Sequence, residues 1–355
     1  MTWYNTNWKY RKKITIDNTK VGADLIDYPV YLDLSELGTD FFDNVKSDGG
    51  DIRITTSDEE TEVPREIVSC DTTAETGEVH FKGDLSGSTD TDFYVYYGNS
   101  EASDYAITAT YGAENVWNSN YKAVYHLEDA NDSTSNSNDG TATGATSGAT
   151  GKIEDAYSFD GTGDYIEIPD STAFNFGTGA FTLTFWLKKT ASGRGDFFGW
   201  KNFAVNPDDF GIFIDDAEKL SVYLKVDGVG GYVIENGSAK SINTFYKIDI
   251  VRDSSGNISS YINNSLDGTG SSSANLDNID VDTTIWLGAN RSDSTTPALE
   301  FTGIIDETRF INTELSSDFR TTEYNNQNSP STFYTIGIQE ESKISSNTIF
   351  LSNNF

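Results

Sequence analysis

The sequence predicts an all-β protein made of two β-sandwich domains, and two observations carry this prediction. Hydrophobic residues recur with a period of two, so that from Phe181 to Leu187 every second side chain falls on one face of an extended strand. Clusters of Gly, Asn, Asp and Ser separate such segments and supply the positive φ angles of tight turns, as at residues 160–163. Many short strands with frequent turns are typical of sandwiches.

The strand pattern divides the chain into two regions. In the first, Ile14 and Ile16 alternate with polar residues, and the same alternation follows from Val30 to Leu34 and from Ile52 to Ile54. The second region contains three clear segments of this kind, at residues 181–187, 220–224 and 246–250. A looser stretch rich in Ser, Ala, Thr and Asn lies between the two regions, which is typical of a linker.

This spacing predicts the domain boundaries. We predict an N-terminal β-sandwich over residues 1–102, a linker over 103–120, a second sandwich over 121–340 and a polar tail over 341–355. Helical periodicity is weak, and only residues 314–325 allow a short helix.

The charge of the chain excludes several classes of partner. Asp and Glu number 56 against 24 Lys and Arg, which gives a net charge of −32. Such a chain repels the phosphates of nucleic acids and of anionic membrane surfaces, so we expect neither as a partner. No segment approaches the about 18 consecutive apolar residues of a membrane-spanning helix, so we expect no membrane insertion. We interpret the acidic excess mainly as solubility at high salt, and secondly as a supply of oxygen ligands for Ca²⁺.

Residue types that carry catalysis are scarce. Cys70 is the only cysteine, which excludes an internal disulfide and a zinc site built from several thiolates. The two histidines, His80 and His126, lie in or beside predicted strands and have no nucleophile motif nearby. Asp306 and Glu307 are adjacent, so on a regular strand they point to opposite faces and do not cooperate as a catalytic pair. The sequence therefore predicts no catalytic residues and no enzyme activity.

A set of motifs spread over residues 121–312 resembles the laminin-G-like, concanavalin A-like jelly-roll family. The matching segments follow the family's order and are Tyr125-His126-Leu127-Glu128, Phe159-Asp160-Gly161, Asp164-Tyr165-Ile166, Phe181 to Trp186, Val251-Arg252-Asp253 and Gly303 to Glu307. The family has a Val-Asp-Gly hairpin where this chain has Ile262-Asn263-Asn264, and an Asn pair also makes a tight turn. The resemblance implies that the second sandwich is a concanavalin A-like jelly roll.

Residues 8–99 resemble a domain of unknown function that occurs in bacterial, archaeal and viral surface proteins, commonly before a laminin-G-like module. The segments that carry this resemblance are Tyr10 to Ile16, Tyr28-Pro29-Val30, Asp51 to Ile54 and Phe93 to Asn99. This resemblance implies a surface protein.

The jelly-roll resemblance also implies structural Ca²⁺. In that family an ion often joins the first strand, the Phe-Asp-Gly turn and the last strand, and the matching positions are Glu128, Gly161 and Asp306. Asp129 and Asp160, together with Asp132, are nearby oxygen donors of the kind that Ca²⁺ takes. The alternative is that Asp132 and Asp160 cap turns through hydrogen bonds to the backbone.

Aromatic residues on the outer faces of the sheets are candidates for a glycan-binding surface. Sugars stack on aromatic rings, and Trp186, Tyr223 and Trp286 are placed for this role, with Trp200 and Tyr232 as neighbours. The alternative is that each ring packs inside the protein, which is an ordinary role for aromatic residues.

We therefore expect a non-enzymatic, surface-displayed structural or adhesion protein with a lectin-like domain that binds glycans or host-surface molecules. The preferred setting is a virion surface, as a capsid decoration, fibre or tail component bound to neighbouring subunits. The start of the sequence, Met1 to Trp8, shows no basic region followed by an apolar stretch, as a signal peptide would, and the acidic composition predicts a solvated surface. The alternatives are a secreted or cell-surface carbohydrate-binding adhesin, an accessory module of a polysaccharide-degrading system, and a purely structural subunit.

Overall fold

The computed structural model describes residues 3–201, 209–226, 229–235, 237–270, 283–291 and 296–342. Almost all regular structure in these residues is β, which confirms the predicted fold class. The strands of the first part of the chain are β1 (Tyr10–Ile16), β2 (Leu25–Asp33), β3 (Arg53–Thr56), β4 (Arg65–Ile67), β5 (Glu78–Leu85) and β6 (Thr91–Tyr97).

The strands of the second part begin at residue 121. They are β7 (Tyr121–Tyr125), β8 (Thr141–Thr143), β9 (Thr146–Thr150), β10 (Asp155–Asp160), β11 (Tyr165–Ile168), β12 (Phe181–Lys189), β13 (Gly195–Lys201), β14 (Asp209–Ile214), β15 (Leu220–Val226), β16 (Val229–Ile234), β17 (Phe245–Arg252), β18 (Ile258–Ile262), β19 (Ser265–Gly270), β20 (Ile285–Leu287), β21 (Asn290–Arg291), β22 (Pro297–Ala298) and β23 (Thr302–Ile311). Two short strands, β24 (Tyr334–Ile336) and β25 (Glu340–Glu341), follow the helices α2 (Ser317–Asn328) and α3 (Pro330–Phe333). A further short helix, α1 (Thr39–Phe42), and 3-10 turns at Asn18–Lys20, Leu34–Leu37, Ala113–Asn115 and Thr172–Phe174 complete the elements.

The N-terminal sandwich packs a five-stranded sheet, in which β24, β1, β6 and β3 follow one another and β25 also pairs with β1, on a three-stranded sheet of β2, β5 and β4. The alternation that predicted these strands reflects burial, since Ile14 and Ile16 of β1 and Val30 and Leu32 of β2 are fully buried in one core. The opposite face of β5 carries Glu78 and His80, because residues two apart on a strand share a face.

The C-terminal residues return to this first sandwich. β24 pairs antiparallel with β1 from Ile14 and Ile336 to Ile16 and Tyr334, and Phe333 and Tyr334 lie in the N-terminal core. The sequence predicts that the second sandwich extends to residue 340, whereas β24 and β25 pair with β1 of the first sandwich. A three-residue strand is too short for its pattern to indicate which sheet it joins. Residues 343–355 of the predicted tail lie outside the described residues.

The second sandwich consists of an eight-stranded and a seven-stranded antiparallel sheet. The first has the order β19-β18-β17-β12-β23-β10-β9 with β7 also paired to β23, and the second has the order β16-β15-β14-β13-β20-β11-β8. Phe181, Leu183, Phe185 and Leu187 of β12 form the core-facing row that their spacing predicts. Sheets that pack over such an interior leave two outer faces available for other contacts.

Helix α2 lies between the two sandwiches. Its first turn is capped by Ser316, whose hydroxyl accepts a hydrogen bond from the amide of Phe319. On one side, Gln327 accepts a hydrogen bond from the indole of Trp186 on the outer face of the eight-stranded sheet. On the other, the Asn326 amide pairs with both the N–H and the C=O of Tyr31 in β2, at 2.8 Å each. Helix α2 corresponds to the helix predicted at residues 314–325, and it begins and ends about one turn after the predicted bounds.

The last long strand contains a β-bulge that the sequence analysis missed. The pairing of β12 with β23 shifts between Thr184 and Trp186, and Glu307 has a φ of +46°. Gln327 hydrogen-bonds to Glu307 and Trp186, and Trp186 lies opposite Asp306, so both carboxylates face helix α2. The expectation that Asp306 and Glu307 point to opposite faces was wrong, because the extra residue of a bulge interrupts the alternation.

Among the described residues, no helix has the length and apolar character that crossing a bilayer requires.

Candidate functional site

The residues predicted to hold Ca²⁺ do not meet at one point. Asp160 pairs with Thr302 on β23, four residues before Asp306. A strand rises about 3.3 Å per residue, so about 13 Å of strand separates these two positions, and one ion cannot bind both. Gly161, next to Asp160, stays at that distant end with a φ of +83°.

Asp306 is fully buried at the other end of this strand segment. One of its oxygens, Oδ2, accepts hydrogen bonds from the amides of Lys152 and Ile153, at 2.7 and 3.0 Å. Its second oxygen, Oδ1, has no hydrogen-bond partner among the described residues. Burial, reinforced by the charge of neighbouring Glu307, raises the pKa of Asp306 well above its usual range.

The turn-capping alternative holds for Asp132 and Asp160. Asp132 accepts hydrogen bonds from the amides of Val124, Thr134 and Asn138. Asp160 is exposed and accepts one from the amide of Thr162. These hydrogen bonds provide partners for the backbone N–H groups of the turns, and they need no ion.

Glu128 and Asp129 line a cleft of about 460 Å³ between the two sandwiches. The cleft is acidic, and its other carboxylates are Glu66, Glu114, Asp132 and Asp139. Burial raises the pKa of Glu128, although a hydrogen bond from Ser69 lowers it in part.

The three predicted ligand-binding aromatic residues are divided between the two outer faces of the jelly roll. Trp186 lies on the eight-stranded sheet beneath helix α2, with 1% of its surface exposed, and its ring stacks on Tyr324. Trp186 therefore packs between elements and does not face solvent. Tyr223 and Trp286 lie together on the outer face of the seven-stranded sheet, whereas Trp200 points into the core.

A continuous row of paired residues crosses the seven-stranded sheet. In its strand register Glu167 lies opposite Trp286, Trp286 opposite Gly199, Gly199 opposite Gly211, Gly211 opposite Tyr223, and Tyr223 opposite Tyr232. From Glu167 to Tyr223 the neighbours of these residues along each strand belong to the core, so the row lies on the outer face. We call this row, from Glu167 to Tyr232, the glycine trough, because two residues without side chains lie at its centre.

Polar side chains lie along the glycine trough. A Cβ atom on Gly199 or Gly211 would come within 3.1 and 3.3 Å of the Asn290 side chain, so this amide covers the bare backbone. Asn290 donates a hydrogen bond to Asp196, and Arg194 donates two more to the same carboxylate, at 2.8 and 3.1 Å. Burial raises the pKa of Asp196, and the guanidinium of Arg194 offsets part of that effect.

The aromatic residues of the trough differ in exposure. Trp286 is buried, stacks on Tyr165 with ring centroids 4.0 Å apart, and donates its indole N–H to Glu167. Tyr232 is 51% exposed and meets the half-buried Tyr223 edge to face. Trp286 therefore forms a rigid wall, and the two tyrosines present the accessible rings.

Sequence reasoning found Tyr223 and Trp286 but missed Gly199, Gly211 and Asn290. Glycine within a strand signals close approach of another group to the backbone, and that signal was present at both positions. The strand register that places the two glycines side by side could not be predicted from the residues around either glycine.

The comparison with family models gives one match. Residues 160–318 match the model Laminin_G_3, described as the concanavalin A-like lectin/glucanases superfamily. No curated protein sequence matches the chain.

Solved structures with a similar arrangement include carbohydrate-active and toxin proteins. Domain 4 of AbnA, a GH43 extracellular arabinanase from Geobacillus stearothermophilus in complex with arabinotriose, is 21% identical with a TM-score of 0.45, over 57% of this chain and 97% of that one. The binding domain of Paraclostridial Mosquitocidal Protein 1 is 16% identical with a TM-score of 0.48, over 58% of this chain and 52% of that one. A Trypanosoma rangeli sialidase is 12% identical with a TM-score of 0.45, over 70% and 43%.

The family match coincides with the larger part of the second sandwich, from the end of β10 to the start of α2. The jelly-roll fold expected there is confirmed, and the N-terminal sandwich lies outside the match. The match to the concanavalin A-like lectin/glucanases superfamily is therefore limited to residues 160–318, a little under half of the chain.

Proposed function

We propose that this protein is a non-catalytic adhesion protein whose concanavalin A-like domain binds a glycan in the glycine trough. The row from Trp286 through two glycines to Tyr223 and Tyr232 carries this proposal. The Asn290 amide, which lies over the backbone of Gly199 and Gly211, gives the floor a fixed polar group for a flat ligand. The accessible rings of Tyr223 and Tyr232 offer apolar faces to sugar C–H groups.

The polar groups of the trough support binding without turnover. Glycoside hydrolysis needs two carboxyl groups on either side of the scissile bond, one of them free to transfer a proton. Both oxygens of Asp196 accept hydrogen bonds from Arg194, and Glu167 accepts one from Trp286. Carboxylates held in this way orient a ligand and do not serve as mobile acids or bases.

The test is glycan binding by matched variants of the full chain. We expect Tyr232→Ala and Tyr223→Ala to weaken binding on a glycan array by about 10-fold each, since one stacked ring contributes roughly 1–2 kcal/mol. Gly211→Val places a branched side chain on the trough floor, against the Asn290 amide, and keeps both rings in the chain. Tyr94→Ala is the control, because Tyr94 is half-buried on the other sandwich. Unchanged binding in Gly211→Val and both trough tyrosine variants would refute the proposed site.

We also propose a surface setting, with a virion preferred. The net charge of −32 supports display in solvent, because strong like charge keeps surface proteins apart and soluble. A secreted or cell-surface adhesin is the alternative, as is an accessory module of a polysaccharide-degrading system. Mass spectrometry of purified virus particles from the source culture distinguishes them: the virion setting requires this chain in the particles at stoichiometric amounts.

We propose that structural Ca²⁺ binds at Glu128 and Asp129 of the acidic cleft, without Asp160, Gly161 or Asp306. Carboxylates at turns are the ligands that Ca²⁺ takes, and Asp132 and Asp139 line the same cleft. After removal of divalent ions, we expect added Ca²⁺ to raise the melting temperature of the wild type and not that of the double variant Glu128→Gln/Asp129→Asn. An unchanged melting temperature of the wild type would contradict the proposal.

A further inference from the structure

Four metal-ligating side chains meet where the two sandwiches touch. Glu78, His80, His126 and Glu307 each offer one ligand atom, and these atoms all lie within 4.8 Å of one another. All four residues are at most 5% exposed. We propose that these residues form a binding site for one divalent transition metal ion of the Zn²⁺ type, which joins the two domains.

The fold brings these residues together from both sandwiches. Glu78 and His80 lie two apart on β5, so they share the outer face of the three-stranded sheet. His126 follows β7 directly, and Glu307 is the residue at the bulge of β23. Each sandwich therefore supplies two ligands, and the bulge is what turns Glu307 toward the other three.

Within the cluster, the carboxylate oxygens that accept hydrogen bonds outnumber the ring N–H groups that can donate them. Oε1 of Glu78 lies 2.7 Å from Nε2 of His80 and 3.0 Å from Nδ1 of His126. The same Nδ1 also meets Oε1 of Glu307. One ring nitrogen carries at most one hydrogen and cannot donate fully to two carboxylates. A metal ion in the same space accepts lone pairs from all four groups at once.

Neighbouring side chains hold His126 and Glu307 in orientations that suit metal binding. His126 Nε2 lies 3.4 Å from Glu66, whose carboxylate also accepts the indole N–H of Trp117. When Nε2 donates to Glu66, Nδ1 is left with its lone pair toward Glu78 and Glu307, which is the tautomer that binds metal. Arg309 holds the second oxygen of Glu307. Carboxylate–histidine–metal arrangements of this form are the rule around bound Zn²⁺.

The charge balance independently points to a cation. Glu66, Glu78 and Glu307 contact His126, and buried Asp306 adjoins them, while Arg309 divides its guanidinium between Glu307 and Glu323. Glu78 Oε2 and His80 Nδ1 have no hydrogen-bond partner among the described residues, although both side chains are at most 1% exposed. Buried carboxylates without sufficient positive charge are costly, and a divalent ion would compensate for them.

The donor set fits a specific class of ion. Two imidazole nitrogens and two carboxylate oxygens suit Zn²⁺, which prefers four ligands, whereas Ca²⁺ takes oxygen only. His126 and Glu66 line the acidic cleft between the sandwiches, which gives an ion a route from solvent. The ion would act as a cross-link between β5 and β23, and so between the domains.

Metal content of the full chain tests the proposal. The protein is stripped with a chelator, incubated with Zn²⁺ or Co²⁺, desalted and analysed by inductively coupled plasma mass spectrometry and by visible absorption of Co²⁺. We expect one ion per chain and a rise in melting temperature of about 5–10 °C at a Zn²⁺ concentration near 100 times Kd. A folded wild type that retains neither ion would overturn the proposal without any variant.

Variants locate the ion. Glu78→Gln and His80→Gln each remove one ligand, and we expect both to lose the bound Zn²⁺ and the Zn²⁺-dependent rise in melting temperature. Asp249→Asn is the control, because Asp249 is fully buried on the same eight-stranded sheet and pairs with Lys247, outside the four ligands. If Glu78→Gln and His80→Gln retain a full equivalent of Zn²⁺, the ion binds elsewhere and the assignment is wrong.

Discussion

Trp186 shows how one residue can support two opposite interpretations of the same pattern. Its place in the alternation of β12 puts it on an outer face, where a sugar could stack. The structure covers that face with helix α2, and the indole N–H donates to Gln327 at 2.8 Å. The side chain of Lys152 lies over its ring. Outward orientation on a strand therefore does not mean exposure to solvent when another element packs on the sheet.

Replacing Trp186 by Phe tests its role. We expect Trp186→Phe to lower the free energy of unfolding by about 1–3 kcal/mol, because the buried Gln327 carbonyl loses its donor. Glycan binding is expected to stay unchanged. Urea denaturation and the glycan array measure the two effects, and Tyr232→Ala, at an exposed site, is the control with little effect on stability. Loss of binding without loss of stability would contradict this assignment.

Asp196 predicts a pH dependence of stability. Burial raises its folded-state pKa above the ordinary value of 3.8, so the folded protein binds this proton more tightly than the unfolded chain does. Its contribution therefore favours the folded state below pH 3.8 and is lost as pH rises through the raised pKa.

Asp196→Asn removes that titration. Although this variant is less stable overall because Arg194 loses its charged partner, its stability relative to wild type is expected to improve as pH rises from below 3.8 through the raised pKa of Asp196. Denaturant midpoints at several pH values measure the difference. A difference that stays constant across this range would show that the pKa of Asp196 is not raised.

At the scale of elements, helix α2 joins surfaces that neither sandwich covers alone. Asn326 of this helix hydrogen-bonds to β2. Asn325 donates a hydrogen bond to the carbonyl of Lys20, in the 3-10 turn that precedes β2. Lys247 and Arg309 of the jelly roll both pair with Glu323 of the same helix. An amphipathic pattern would not reveal this helix, since polar residues face both partners.

Removal of the Asn326 amide is expected to weaken this junction. Asn326→Ala leaves the N–H and C=O of Tyr31 without partners in a buried site, and we expect a loss of about 2–4 kcal/mol in unfolding free energy. Asn325→Ala is the matched control, because Asn325 makes a single bond at a half-buried position and its loss is expected to cost about 1 kcal/mol. Equal losses measured by chemical denaturation would refute the bridging role of Asn326.

At the scale of the whole molecule, the N-terminal sandwich is discontinuous in sequence. The chain leaves it after β6, builds the jelly roll, and returns with β24 and β25 to pair with β1. Arg11 in β1 pairs with Glu340 in β25 at 2.7 Å, which ties the two ends of the described chain together. A domain closed by distant segments couples its stability to the domain inserted between them.

Truncation tests this coupling. Removal of residues 330–355 takes Phe333 and Tyr334 out of the N-terminal core and exposes the edge of β1. We expect the amides of β1 to lose protection from hydrogen exchange while β12 in the jelly roll keeps its protection. Removal of residues 343–355 alone is the control. Unchanged protection of β1 after the longer truncation would contradict the assigned pairing.

The sequence by itself determined the all-β class and the core rows and indicated the jelly-roll fold, because alternation and turn chemistry are local properties that do not depend on distant residues. It left open whether Asp132 and Asp160 cap turns or bind Ca²⁺. It also marked Tyr223 and Trp286. Tertiary structure alone decided which strands pair, so it decided that Gly199 and Gly211 lie side by side and that β24 returns to β1. It also decided that a bulge turns Glu307 toward His80 and His126. These outcomes depend on register and on contacts between residues far apart in the chain. A period of two excludes a slip of one residue but does not distinguish registers that differ by two, and it does not indicate which distant strands pair.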